Sequence, residues 1–366
     1  MNKDPFEEYM KQSEPSKRDK GYAWHTAIGL QAVDGLKTSK YLIDTAIRNI
    51  EGDISIDEAQ ELLNIYYEEN PQSNQEERTE EADKVAVRIA KILSERAFSF
   101  TPNEYISIHK KLFSGIYEHA GKIREYNITK KEWVLNGETV LYASASELSA
   151  TLAYDFSEEK KFSYKNLTIG EVIHHLAAFT SKLWQIHAFE EGNTRTTAVF
   201  LIKYLRTLGF DVNNDIFAEN AWYFRNALVR ANYNDLKNGV YETTEYLELF
   251  LRNLLLDEKN ELHNRSMHIS GMLTKVDIEG SKVDIGGSKV DIRNKLLSFS
   301  DMISEKTINH ALGLFSKCGK EEYFGRTMVE EITGLKPSGA SKLIKLLVDS
   351  NVIVPVTGHG KGKYRF

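Results

Sequence analysis

The chain has 366 residues, enough for two or three domains and at least one sizeable core. Hydrophobic residues make up 41% and charged residues 27%, the balance of an ordinary globular protein, and a net charge of −6 excludes a chain that binds polyanions as a whole but leaves room for a local basic patch. The single cysteine, Cys318, excludes an internal disulfide framework and a zinc site built from several thiolates, and it suits a reducing compartment. Met1 to Glu7 hold no apolar signal core and no apolar run of about 18 residues occurs, so the expectation is a cytoplasmic protein with no membrane span.

The first 20 residues are polar and read as a loose arm. Apolar residues then recur at three- and four-residue spacing over Ala23–Asn49, Asp57–Tyr67 and Glu80–Leu93, which predicts helices with one buried face. Thr101, Pro102 and Glu104 open a further helix, as cap, first-turn proline and capping-box acid. From Ile123 to Ala143 the pattern turns β-prone, and Asn136-Gly137 between two such runs signals a hairpin. Helices resume near Ser146, run from Thr168 to Trp184 and from Arg195 to Leu208, and continue over Asn220–Ala231 and Thr243–Leu256. From Lys275 Lys-Val-Asp-Ile occurs three times at a spacing of seven residues with glycines between, which reads as a linker and not a coiled coil. The last 70 residues read as helix (Thr327–Thr333), turn at Gly334, helix (Ser338–Ser350) and two strands (Val352–Val356, Gly362–Phe366), a winged-helix order.

The chemistry concentrates between Trp184 and Val199. An apolar helix delivers His187 to a loop carrying Glu190, Glu191, Gly192 and Asn193, and a new helix starts at Thr194-Arg195. A helix start presents free N–H groups and positive dipole, so it suits phosphate. Arg195 in the first turn is unfavourable for the dipole unless an anion sits beside it. Glu191 is placed to hold a divalent cation that bridges phosphates, and His187 to accept a proton from an attacking hydroxyl. The residues themselves reach phosphoryl or nucleotidyl transfer and stop there.

The same stretch resembles the Fic family signature, His-Pro-Phe-x-(Asp/Glu)-Gly-Asn-x-Arg, met here at His187, Phe189, Glu191, Gly192, Asn193 and Arg195. The resemblance covers roughly residues 20–265. It implies a mainly α fold: an N-terminal helical region (1–98), a helical catalytic domain with a β-hairpin flap (99–265), a linker (266–294) and a winged-helix domain (295–366). It implies a protein adenylyltransferase moving AMP from ATP to a Ser, Thr or Tyr hydroxyl of a target protein, itself included. His187 would be the base, Glu191 the Mg²⁺ ligand, Gly192, Asn193 and Thr194 the anion hole, and Arg195 the contact to the outer phosphates. Phe189 would anchor the loop. Asn127, Ile128, Thr129, Lys130, Lys131 and Glu132 would register the target by strand addition. Tyr223 and Asn226 match adenine-pocket positions, against the plain alternative that Tyr223 is core packing.

Departures from the pattern matter. Ala188 replaces the proline, and Ala198 stands where many relatives carry a second arginine. That arginine pairs in relatives with an inhibitory segment, (Ser/Thr)-x-x-x-Glu-(Gly/Asn), whose nearest match here runs from Leu30 to Asp34-Gly35. With both ends altered, the expectation is weak or absent autoinhibition. A nucleotide-sensing regulator with DNA on residues 295–366 is the competing reading, transfer of another phosphate-containing group is a third, and homo-oligomers are compatible with all of them.

Overall fold

The computed structural model describes residues 6, 15–70, 78–212, 215–270, 292, 296, 303–318, 323–350, 352–356 and 363–365. The chain divides into two compact units, Met1–His263 and Asn264–Phe366. It is mainly helical. The repeat that begins at Lys275 lies outside the described residues, apart from Ile292.

In the first unit α1 (Pro15–Gly29) runs into a 3-10 turn, Leu30–Asp34, which Gly35 closes at φ 70. The stretch Ala23–Asn49 is therefore two helices, because a left-handed residue stops the first and Ser39 caps α2 (Lys40–Glu51) by accepting from Leu42 N at 3.0 Å. A capping box of Ser55 and Glu58 starts α3 (Ile56–Glu69). Next come α4 (Thr79–Ser94) and α5 (Pro102–Phe113), the latter capped by Thr101 with Pro102 in its first turn. The chain then gives α6 (Leu148–Lys161), α7 (Ile169–Ile186), α8 (Asn193–Thr207), α9 (Ile216–Arg230) and α10 (Glu245–Leu256). Asn220 breaks the helical φ/ψ of α9.

The core lies around α8, in which every residue from Asn193 to Leu205 is buried. Phe100, Phe156, Phe200 and Tyr204 meet there with neighbouring ring centroids 4.4–6.5 Å apart. Each such ring removed from water contributes about 1.5–3 kcal/mol, so the helix that opens the candidate site is also the best-anchored one. The N-terminal helices are part of this packing. A Cβ on Gly29 would fall 2.4 Å from the Ala218 backbone, so α1 approaches α9 closer than any side chain allows.

The segment 122–143 has the expected turn but not a ladder. Asn136 (φ 55) and Gly137 (φ 90) take left-handed backbone as the Asn-Gly signal requires. Trp133–Leu135 coils into a 3-10 turn, and one backbone bond, Glu132 N to Glu138 O at 2.9 Å, joins the arms above it. Among the described residues regular strands occur only in the second unit. There α11 (Glu305–Cys318), α12 (Arg326–Thr333) and α13 (Pro337–Asp349) precede β1 (Val354–Pro355) and β2 (Tyr364–Arg365), antiparallel with Val354 opposite Arg365. Phe324 bridges Tyr364 on the other side. No helix among the described residues is long and apolar enough to cross a membrane.

Candidate active site

His187 ends α7. Its φ of 50° and ψ of 55° are left-handed, a strained choice for a residue with a Cβ, and this turns the chain out of the helix at the point where the loop begins. The ring is 4% exposed and lies against Tyr142 (4.3 Å between centroids) and edge-on to Trp184 (5.4 Å). Neither ring nitrogen has a hydrogen-bond partner among the described residues. Burial pushes the imidazole well below its ordinary pKa, and the nearby cations Lys130, Arg225 and Arg124 add to this. It is therefore a neutral histidine with an open acceptor, the state a general base needs. Buried orphaned nitrogens are rare in folded proteins and call for a ligand or a reaction.

The loop that follows is held by its own atoms. Asn193 Nδ2 donates to Phe189 O at 2.7 Å, and Phe189 N donates back to Asn193 Oδ1 at 3.0 Å. Phe189 is fully buried, as an anchor should be, and stacks on His109 at 3.7 Å. His109 accepts from Gly121 N at 2.8 Å and so donates from Nε2 to Glu191 O at 3.0 Å. Burial lowers its pKa to about 4, so it too is neutral. Gly192 sits at φ 76°, and a Cβ there would lie 2.4 Å from the Phe113 ring, so glycine is required by conformation and by space. Thr194 accepts from Trp184 Nε1 at 3.0 Å, which ties the start of α8 to the end of α7. The first backbone donor of α8 to find an acceptor is Thr196 N, bonded to Gly192 O, so the N–H groups of Asn193, Thr194 and Arg195 are free of partners among the described residues.

Glu190, partly buried, and Glu191, exposed, are the acids of the loop. Glu191 is half-exposed and meets one cation, Lys130 Nζ at 3.1 Å. Among the described residues no group of three His, Cys, Asp or Glu side chains is placed to hold a metal ion. One exposed carboxylate fits a Mg²⁺ that arrives with phosphate oxygens, not a resident metal.

Arg195, expected at the outer phosphates, is met by protein groups. It is fully buried: Nη1 donates to Gln31 at 3.0 Å, Nη2 to Glu81 at 2.7 Å and to Tyr117 at 3.3 Å, and Nε lies 2.9 Å from Asp34 Oδ2. Burial opposes its charge, but Asp34, Tyr117 and Glu81 outweigh burial and raise its pKa. Glu81 is shared, since it also takes both forks of Arg78 at 2.8 Å. The shortened acid at 34 engages Arg195 itself, while Ala198 and Leu30 are simply buried.

The flap residues separate into two kinds. Asn127 is spent on Ala145 N at 2.8 Å. Glu132 turns its side chain inward. It is fully buried, its Oε2 lies 2.7 Å from Arg225 Nη1 and its Oε1 accepts from Tyr142 at 3.1 Å. It anchors the flap from below, one contact away from the His187 ring. The backbone of residues 127–131 makes no backbone–backbone hydrogen bond among the described residues. Beside it, Tyr126 is 50% and Leu141 84% exposed. Tyr223 is 2% exposed, donates to Tyr246 O at 3.2 Å and lies parallel to Phe250. Asn226 is buried beside it.

Sequence reasoning missed Arg124. It is buried, and its guanidinium donates to the carbonyls of His187 (2.7 Å), Tyr126 (2.6 Å) and Ala143 (2.6 Å), while its N–H donates to Ala188 O at 3.0 Å. One side chain pins both feet of the flap to the loop.

Residues 99–205 match the family model described as Fic/DOC family, and this part of the chain is a Fic-family domain. Over 108 residues the chain is 30% identical to a protein adenylyltransferase, VbhT, of Bartonella schoenbuchensis, a stretch that is 30% of this chain. The chain spans about a fifth (21%) of that relative's length.

Proposed function

We propose that the first unit transfers AMP from ATP to a hydroxyl side chain of a protein, itself included. The observation that carries the reading is the neutral, buried His187 with two unpartnered nitrogens beside a helix start with three free N–H groups. His187 takes the proton of the attacking hydroxyl. The oxygen forms a bond to the α-phosphorus, the bond to pyrophosphate breaks, and the backbone N–H groups of Asn193, Thr194 and Arg195 receive the phosphate charge. Mg²⁺ on Glu191, in place of Lys130, would neutralise phosphate oxygens when nucleotide is bound. The target lies along residues 127–131, whose backbone has no backbone partner and only Lys130 N bonded to a side chain, Thr139 Oγ1, so it can accept an added strand, with Tyr126 and Leu141 as apolar contacts. A cytoplasmic setting suits these substrates.

In the described conformation Arg195 donates to Gln31, Glu81 and Tyr117 and its Nε lies 2.9 Å from Asp34, so basal transfer is restrained until those contacts open. The test is incubation with ATP and Mg²⁺ followed by intact-mass measurement. One adenylyl adduct, absent in His187→Ala, supports the reading. A bare phosphoryl or another adduct points to a different transferred group, and labelling that survives His187→Ala removes the base.

A further inference from the structure

The second unit concentrates positive charge in a chain that is acidic overall. Residues 323–366 carry seven Lys and Arg against three Asp and Glu, while the whole chain stands at −6. Of those acids, Glu330 is tied to Arg326 at 3.1 Å and Asp349 sits at the far end of α13. Helices α12 and α13 are joined by residues 334–336, and Gly334 takes φ 69° to make the turn. The three-residue turn with a left-handed glycine is helix-turn-helix geometry. Phe324, β2 and β1 add the paired strands of a wing.

Helix α13 has two distinct faces. Ala340, Leu343, Ile344 and Leu347 are buried. Lys336, Ser338, Ser341, Lys342 and Lys345 are all exposed. Lys363 and Arg365, on and beside β2, are exposed too. Among the described residues Lys336, Lys342, Lys345, Lys363 and Arg365 enter no ion pair. A solvated face would mix signs, whereas this one holds lysines and hydroxyls until the last turn.

We propose that this unit binds duplex DNA, with α13 in the major groove and β2 against the flanking backbone. The proposal goes beyond the transferase reading and does not rest on it. Residues 336–349 contain no Arg, Asn or Gln, the side chains that read guanine or adenine by paired hydrogen bonds, so binding is dominated by phosphate and tolerant of sequence. Duplex RNA is the poorer ligand, because its major groove is too narrow for a helix. If all five basic side chains reach phosphate, log K falls against log salt with a slope of about −4.5.

The experiment is fluorescence anisotropy of a labelled mixed-sequence DNA duplex with the full chain, titrated between about 50 and 200 mM salt. The expected result is binding with that steep slope, weakened about tenfold or more in Lys342→Glu/Lys345→Glu and with the slope reduced by about 2. The milder Lys342→Gln/Lys345→Gln pair falls between, and both variants keep the wild-type circular-dichroism melt. Absence of duplex binding at the lowest salt overturns the proposal, as does binding indifferent to both variants or matched by polyglutamate or duplex RNA. A chain that binds DNA and labels nothing with ATP would count against the transferase reading alone.

Discussion

His187, which ends α7, and Arg195, in the first turn of α8, stand eight positions apart on either side of one loop, both buried, and they are opposites. The histidine has two nitrogens and no partner. The arginine is met by two carboxylates, an amide and a phenol. The same burial that keeps the first neutral and reactive makes the second dependent on its partners. One end of the loop is ready for chemistry, and the other is held by residues from α4 and from the turn after α1.

The largest expected effect is on the ready end. His187→Ala removes the proton acceptor and should lower transfer by about 10²–10⁴-fold without changing the melt by much, read as label incorporated per minute. Equal rates would break the contrast at its first member. At the held end, Glu81→Gln leaves Arg195 and Arg78 short of a buried charge. Chemical denaturation should show a loss of about 3–5 kcal/mol. A loss no greater than that of an exposed ion pair would mean that Arg195 is not truly held.

The third prediction concerns the other neutral histidine. The folded pKa of His109, about 4, lies below the ordinary 6.5, so between these values the unfolded chain binds a proton that the folded chain refuses. Its contribution to stability is fully present above pH 6.5 and is lost as pH falls toward 4, a change of about 3 kcal/mol. His187, shifted the same way, adds in the same sense. Stability measured against pH should be flatter over that window in His109→Gln, and an unchanged slope would contradict the neutral assignment. The smallest effect belongs to Asp34→Ala. Freed of one carboxylate but still held by Glu81, Arg195 should reach phosphate more often, and transfer should rise on the order of tenfold. No rise would place the restraint on Glu81 alone.

Much of this was legible. The apolar period and the Gly192-Asn193 loop set α7 and α8 to within two residues. The Asn136-Gly137 turn is legible in the sequence, whereas the 3-10 turn at Trp133–Leu135 before it is not. Glu132 and Tyr142 turn inward to Arg225 and His187, so side-chain anchoring replaces a backbone ladder. Glu81 and His109 gave a usable signal that went unread: each is a polar residue on the apolar stripe of its helix, in phase with Val85 and Ile89 or with Tyr105 and Phe113. Arg124 gave none, because a guanidinium bonded only to carbonyls has no partner that a sequence can show. The reach of Asp34 to Arg195 was hidden for another reason. It depends on how closely α1 packs on α9, a matter of one missing Cβ at Gly29.

The most direct test joins both ends of the loop in one experiment. Asp34→Ala and Asp34→Ala/His187→Ala, each incubated with ATP and Mg²⁺, are weighed intact. The account predicts an adenylyl adduct on the first, heavier in occupancy than on wild type, and none on the second. Equal adducts on both, or none on either, would contradict it.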